Sequence, residues 1–242
     1  MNQHPHPAPG QGLCAEFDLL ADEYYEQHQA NVAVTGERPE YFAEYKIADL
    51  ARLVQANGFP CERILDFGSG IGNSVPFFRK YFGGSHLSCA DISRRSIEVA
   101  QARFPGKERH LDVSKGIPLP AASQDIVFSA CVFHHIPHDE HQRWLTELRR
   151  ITRRGGLLVI YEHNPLNPLT VRAVNTCPLD VNARLLRGGT LRQTALISGW
   201  DDAQVAYKLF FPAQLKLLRP LEHHLRWLPL GAQYRVTART LA

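Results

Sequence analysis

Residues Ile64–Asn73 read "ILDFGSGIGN": an apolar run ending at an acid, Asp66, then three closely spaced glycines, Gly68, Gly70 and Gly72. A glycine-rich turn between a strand and a helix lets backbone N–H groups approach a ligand closely, because no Cβ intervenes. Such a loop holds a nucleotide or an adenosyl group. A dinucleotide fingerprint would place its third glycine at position 73. Asn73 stands there, and the glycine comes one residue early. An acid at the strand end serves a pyrophosphate poorly and suits a cationic group, such as the α-amino group of a methionine moiety. The stretch therefore points to an open α/β domain and argues against a nicotinamide cofactor.

Outward from this loop the segments alternate. "RILDF" reads as a buried strand, and "NSVPFFRKYF" as a helix with Val75, Phe78 and Phe82 on one face and Pro76 in its first turn. "SHLSCAD" is a strand, and "SRRSIEVAQARF" a helix capped by Ser93. "ERHLD" and "DIVFSACV" are strands. "DEHQRWLTELRRI" is a helix with Asp139 as N-cap and Gln142 three residues on, and "GGLLVIYEH" is a further strand. The order β-α-β-α-β-β-α-β predicts a mostly parallel sheet with helices on both faces. Upstream, the chain reads as helical from about Phe17 to Asn57, broken at "VAVTGERPE", with Ile47, Leu50, Leu53 and Val54 as an apolar stripe.

After Asn164 the rhythm stops. "NPLNPLTVRAVNTCPLDVNARLLRGG" has several helix breakers and reads as a lid or substrate-shaping insertion. "TLRQTALISGW" resumes a helix, and "AQVAYKLFF" and "AQYRVTART" close as strands. Between them lies "PAQLKLLRPLEHHLRWLPL", expected to dock on the sheet in preference to walling a greasy pocket or touching a membrane weakly. "RRITRR" is read as a helix C-terminus, where cations complement the dipole, in preference to a phosphate or nucleic-acid site.

The 242 residues suffice for one α/β domain: residues 1–13 as a disordered tail and 14–242 as the domain. Within it, 14–58 form a helical cap, 59–163 the cofactor-binding core, 164–190 the insertion, and 191–242 a C-terminal helix and strands. A net charge of +3 is too weak to argue for nucleic acid. The five cysteines are scattered and lack metal-type spacing, which points to a reducing cytoplasm. "MNQHPHPAPGQG" has no basic residue and no apolar core, so it does not read as a signal peptide, and His4 and His6 read as solvated tail. No apolar run approaches the roughly 20 residues of a membrane span.

From about Phe59 to Asn164 these motifs resemble, in order, those of the class I S-adenosylmethionine-dependent methyltransferases. "ILDFGSGIG" resembles their first motif. "CADIS" resembles the segment whose acid, here Asp91, bonds both ribose hydroxyls, and "HLDV" the segment whose acid, here Asp112, meets the adenine amino group. "GIPLPAASQDIVFSACVFHHI" and "LRRITRRGGLLVI" are similar to the family's fourth strand and to its following helix, turn and fifth strand. The resemblance implies a Rossmann-like α/β fold, a seven-stranded mostly parallel sheet with an antiparallel last strand and an N-terminal helical cap. It also implies cofactor contacts at Asp66, Gly68, Ser69, Gly70, Asp91, Ile92, Asp112, Val113, Ala130 and Tyr24. No Asn-Pro-Pro-aromatic motif follows strand four, so the likeness does not extend to exocyclic-amine methylases of DNA.

The nearest resemblance is to bacterial quinone-biosynthesis O-methyltransferases. It implies S-adenosyl-L-methionine as cofactor, S-adenosyl-L-homocysteine as product, and no metal. The expected acceptor is a hydroxyl of an aromatic or lipophilic small molecule, not a nucleic acid, acted on by a monomer or homodimer. Methylation at N, C or S, a macromolecular acceptor, or a non-catalytic cofactor-binding protein are the alternatives.

Methyl transfer from a sulfonium needs alignment and a dry site, and a hydroxyl acceptor gains from a nearby base. Open α/β sheets bind ligands beyond the carboxyl ends of their strands. That places His134 and His135 after strand four, and His163 after strand five, as candidate catalytic residues. A structural role for His135, anchoring the turn before Pro137, is the alternative. His134–His163 or His135–Glu162 metal pairs lack a third ligand of recognisable spacing. Tyr24, Tyr41, Tyr45 and Lys46 are candidates for covering the cofactor from the cap, with core packing as the other reading. Arg184, Arg187 and Arg192 read as solvated surface.

Overall fold

The structure is a computed structural model that describes Asp18, Ala21 and residues 24–241. The expectations for the tail, for His4, His6 and Cys14, and for a helix starting near Phe17 lie outside the described residues. Seven strands form one sheet: β1 (Arg63–Phe67), β2 (His86–Asp91), β3 (Arg109–Asp112), β4 (Gln124–Ala130), β5 (Thr152–His163), β6 (Asp201–Lys208) and β7 (Gln233–Arg239). Their order is β3-β2-β1-β4-β5-β7-β6. Pairing from β3 through β5 is parallel, and β7 runs antiparallel to both of its neighbours, β5 and β6. The Rossmann-like sheet and its antiparallel last strand are as expected.

β4 and the second half of β5 read as nearly continuous apolar runs because helices cover both faces of a parallel sheet. On one face α2 (Pro39–Asn57) and α3 (Val75–Tyr81) bring Ile47, Leu50 and Phe78 onto Ile126, Phe128 and Tyr161. On the other, α5 (His141–Ile151) and α7 (Gly188–Ile197) bring Leu145, Leu148, Leu191 and Ala195 onto Val127, Leu158 and Val236. α4 (Arg94–Arg103) is capped as expected: Ser93 Oγ accepts from Ser96 N at 3.0 Å. α1 (Tyr24–Val32) and α6 (Pro168–Thr176) lie toward the carboxyl ends of the strands, where both contribute to the site described below.

Three expectations are corrected. Asp139 does not cap α5. It sits in a 3-10 turn, His138–Glu140, and α5 starts at His141, whose ring Nε2 lies 2.8 Å from Phe133 O and 3.0 Å from Ile136 O. That ring ties the helix start to the turn after β4 and fixes it one residue later than an Asp139 cap would. The insertion is not irregular throughout. Pro168 opens α6 at a position that has no use for an N–H, Asn167 caps it by accepting from Leu169 N and Thr170 N, and a 3-10 turn follows at Pro178–Asp180. α7 likewise begins at Gly188, where a Cβ would come within 2.8 Å of Val205 and 3.0 Å of Tyr234.

The third correction concerns the apolar stretch after β6, which does not bury its side chains on the sheet. It forms 3-10 turns over Ala213–His224, with Pro220 inside, and leaves Leu217 87% and Trp227 74% exposed. Polar contacts hold it instead. Glu222 Oε1 accepts from Phe210 N at 2.9 Å and Phe211 N at 3.1 Å, and Arg219 pairs with Glu37 at 2.7 Å. Among the described residues no helix is long and apolar enough to cross a membrane.

Candidate active site

The strand order reverses between β1 and β4, and ligands of open α/β sheets bind at such a switch point. Here the two loops beyond it enclose a cavity of about 1210 Å³. Tyr24, Asp66, Gly68, Ser69, Gly70, Asp91, Ile92, Val113, Ala130, His134, His135 and His163 all line it. Asp112 is the exception. It is exposed, its carboxylate accepts from Ser114 N at 2.9 Å, and Val113 and Ser114 face the cavity in its place.

One half is built by the glycine loop. Gly68 has φ +75°, and a Cβ there would run into Val132, so glycine is required twice over. Gly68 N and Ser69 N donate to Ala90 O at 2.7 and 3.1 Å, which folds the loop back onto β2. Asp91 accepts from Gly70 N at 2.8 Å and from Ser93 N at 2.9 Å, which fixes its carboxylate at the end of β2. Asp66 is 2% exposed, and its Oδ2 has no hydrogen-bond partner among the described residues. Burial, with Asp91 adding to it and Lys46 opposing, pushes the Asp66 carboxyl up to about 7. A buried carboxylate oxygen without a partner carries a real cost. A cationic amino group entering the cavity would remove it, so the residues present fit an amino-acid-bearing sulfonium cofactor.

The other half is organised by Glu162, 0% exposed, near the end of β5. Its Oε1 accepts from Val132 N at 2.8 Å and Phe133 N at 2.7 Å, and its Oε2 lies 2.6 Å from His134 Nδ1. One carboxylate thus holds both the backbone of the turn after β4 and the ring that the turn carries. Burial opposes charge on His134, but Glu162 and Asp180 overcome it and raise its pKa. Burial would likewise raise Glu162 and Asp180, and the imidazoles beside them hold both low. His134 Nε2 and His135 Nε2 stand 3.4 and 3.5 Å from the same oxygen, Asp180 Oδ1. The His134 and His163 rings are 5.1 Å apart.

His135 differs from its neighbour. Burial first and His134 second press its pKa down to about 3, so its ring is neutral at physiological pH and a weak proton acceptor. Cys131 takes a left-handed backbone, φ +58°, where β4 ends. Burial would raise its thiol, yet Lys46, whose Nζ is 3.6 Å away, and His163 bring it down to about 7. Burial keeps the Tyr24 hydroxyl well above its ordinary pKa, with Asp180 adding to the effect. Phe42, Trp144, Leu169, Phe210 and Phe211 supply apolar wall.

Of the pairs weighed as metal ligands, His135–Glu162 is not what the structure brings together, since Glu162 serves His134. A third group joins the two histidines instead: Asp180, from the insertion. The ligand atoms of His134, His135 and Asp180 all lie within 4.8 Å of one another. Sequence reasoning missed Asp180, Glu162 as an anchor, and the Lys46–Cys131 contact. No spacing rule links residues 46 and 131 or 134 and 180, and only the acidic residue in "NTCPLD", inside a stretch with no readable code, could have flagged Asp180.

Residues 65–160 match a family model described as a methyltransferase domain. Among curated proteins, the chain is 29% identical over 132 residues to a tRNA N(3)-cytidine methyltransferase of Homo sapiens, covering 49% of this chain and 34% of that protein. It is 29% identical over 162 residues to demethylmenaquinone methyltransferase of Thermobifida fusca, covering 65% of this chain and 64% of that protein. The chain thus spans between a third and two thirds of the length of these two relatives. A solved structure from Thermotoga maritima, described as an S-adenosylmethionine-dependent methyltransferase and a possible histamine N-methyltransferase, superposes with a TM-score of 0.65 at 17% identity. It covers 94% of this chain and 99% of its own, a likeness of fold.

Proposed function

We propose that this chain, which carries a methyltransferase domain with the fold of the S-adenosylmethionine-dependent enzymes, methylates a hydroxyl of a small aromatic or lipophilic molecule. The observation that carries the reading is the buried Asp66 Oδ2, without a partner among the described residues, in the same cavity as a buried histidine cluster. S-adenosyl-L-methionine supplies an activated methyl group, and S-adenosyl-L-homocysteine leaves. Asp66 receives the amino group, Asp91 the ribose hydroxyls, and Ile92 and Val113 flank the adenine. Asp112 anchors the turn that presents Val113 and Ser114.

The remaining residues align and deprotonate the acceptor. Displacement at a methyl carbon requires the attacking oxygen in line with the breaking bond, and holding it there is worth several kcal/mol of barrier. The apolar side chains of Phe42, Phe210 and Phe211 on the cavity wall favour an apolar acceptor. His163 takes the hydroxyl proton. His135 is too weak a base, and both nitrogens of His134 face carboxylates. With the cofactor bound at Asp66 and Asp91, its sulfonium would supply the methyl group, and His163 would hold the proton that the acceptor hydroxyl gives up.

Calorimetry with S-adenosylhomocysteine and with NAD tests the cofactor. The expected result is binding of the first alone, and binding of NAD alone overturns the reading. Incubation with methyl-labelled cofactor and cell extract then identifies the acceptor. With that acceptor, His163→Ala should lower kcat by about 10²–10⁴-fold with little change in cofactor affinity. Unchanged kcat removes His163 as the base.

A further inference from the structure

Two 3-residue features far apart in sequence meet at one point: the turn after β4, with His134 and His135, and the 3-10 turn at Pro178–Asp180. His134 Nε2 and His135 Nε2 approach one oxygen, Asp180 Oδ1, at 3.4 and 3.5 Å. These spans are long for hydrogen bonds. They match the edge of a tetrahedron around a metal whose ligands stand 2.0–2.1 Å away, which is about 3.3 Å. We propose that the chain binds a divalent transition-metal ion, zinc by its ligand set, through His134 Nε2, His135 Nε2 and Asp180 Oδ1.

Three further observations support the site. Glu162 stands behind His134 with Oε2 2.6 Å from Nδ1, the carboxylate–histidine arrangement that orients a metal ligand and leaves Nε2 to the ion. Glu162 is itself fixed by the Val132 and Phe133 N–H groups, so the ligand it orients is rigid. Charge favours an ion as well: two carboxylates, Asp180 and Glu162, flank the histidines, and a divalent ion adds positive charge between them. Two imidazoles and a carboxylate favour zinc-class ions over magnesium and calcium, which prefer all-oxygen sites. Three protein ligands leave a fourth position open, as catalytic rather than structural sites do, and all three residues line the cavity.

The catalytic use of this ion rests on the methyl-transfer reading; the binding site does not. A hydroxyl at the open position loses its proton more readily next to a divalent ion. The O–H bond breaks with the proton passing to His163, the O–CH₃ bond forms, and the S–CH₃ pair returns to sulfur. Because Asp180 belongs to the insertion, the ion also ties that segment to the end of β4.

The test uses the full chain, stripped with chelator, titrated with Zn²⁺ and Mg²⁺ by calorimetry and with Co²⁺ by visible absorption. We expect one Zn²⁺ per chain, no Mg²⁺, and a tetrahedral Co²⁺ spectrum. His135→Ala and Asp180→Asn should each weaken Zn²⁺ by at least tenfold while retaining S-adenosylhomocysteine affinity, which reports that they fold. Glu162→Gln should weaken Zn²⁺ by about 10–100-fold. Equal Zn²⁺ affinity in wild type and both ligand variants overturns the site. If the variants fail to fold, the wild-type Co²⁺ spectrum decides, and its absence overturns the site. Wild type that binds S-adenosylhomocysteine but no Zn²⁺ removes the metal and leaves methyl transfer standing. Zn²⁺ binding without S-adenosylhomocysteine binding supports the site and removes the methyl-transfer reading.

Discussion

At Asp66 burial works against the charge that its proposed role requires. It is a carboxyl with a raised pKa of about 7, so the ligand-free protein holds a proton there from the ordinary carboxylate range up to neutrality. Asp91 raises it and Lys46 lowers it. Pairing with an ammonium group requires the carboxylate, so ligand binding must expel that proton at lower pH. Affinity for S-adenosylhomocysteine should therefore be full above pH 7 and fall by about tenfold per pH unit below it. Calorimetry from acid to mildly alkaline pH checks the slope. Asp66→Asn should flatten the profile and weaken binding at its alkaline end, and a wild-type profile that is flat through neutrality rules out this role. Asp66 and the glycines were legible because their signal is local: one acid, one loop, one turn. Asp180 was not, because its meaning depends on histidines 46 and 45 residues earlier in the chain.

At the scale of elements, a buried charge cluster locks the cap to the far edge of the sheet. Asp49 of α2 accepts from Lys208 of β6 at 2.9 Å, Arg235 of β7 at 2.6 Å and the Tyr161 hydroxyl of β5 at 2.6 Å. Burial would raise Asp49, but Arg235 and Lys208 outweigh it and hold its pKa low. Asp49→Ala leaves two buried cations without their carboxylate and should cost about 3–5 kcal/mol, read as a lower midpoint in urea unfolding. A loss below 1 kcal/mol would mean that water reaches the cluster. The elements read correctly from sequence, β1 through α4, are those whose burial pattern and caps are written within ten residues. The start of α5 was missed because a tertiary contact, His141 to the turn after β4, overrides the local capping signal of Asp139. The turns at Ala213–His224 were misjudged for a related reason. Leucines spaced for burial remain outside because polar ties to Glu37 and Glu222 set their orientation.

Across the whole molecule, the sheet and its two apolar layers are complete without that last segment. Leu217→Glu and Trp227→Glu should therefore each change stability by less than about 0.5 kcal/mol, as for other exposed positions. A thermal melt checks this, and a large loss would show that these side chains are covered in solution. The cavity sits where the general rule for open α/β sheets places it, so its position was readable from strand order alone. Its walls come from α1, α2, α6 and the turns after β6, and no local pattern in the chain announces which of their side chains face inward.

β5 places two anchors back to back. Tyr161 reaches Asp49 on one face of the sheet, and Glu162, its immediate neighbour, holds the turn after β4 on the other. A slip of one residue in strand pairing exchanges the faces of every side chain. Here it would point the tyrosine at three backbone and ring donors that need a carboxylate, and send Glu162 toward the carboxylate of Asp49. The two anchors thereby oppose a shifted pairing from both faces of the sheet. β5 proofreads its own register.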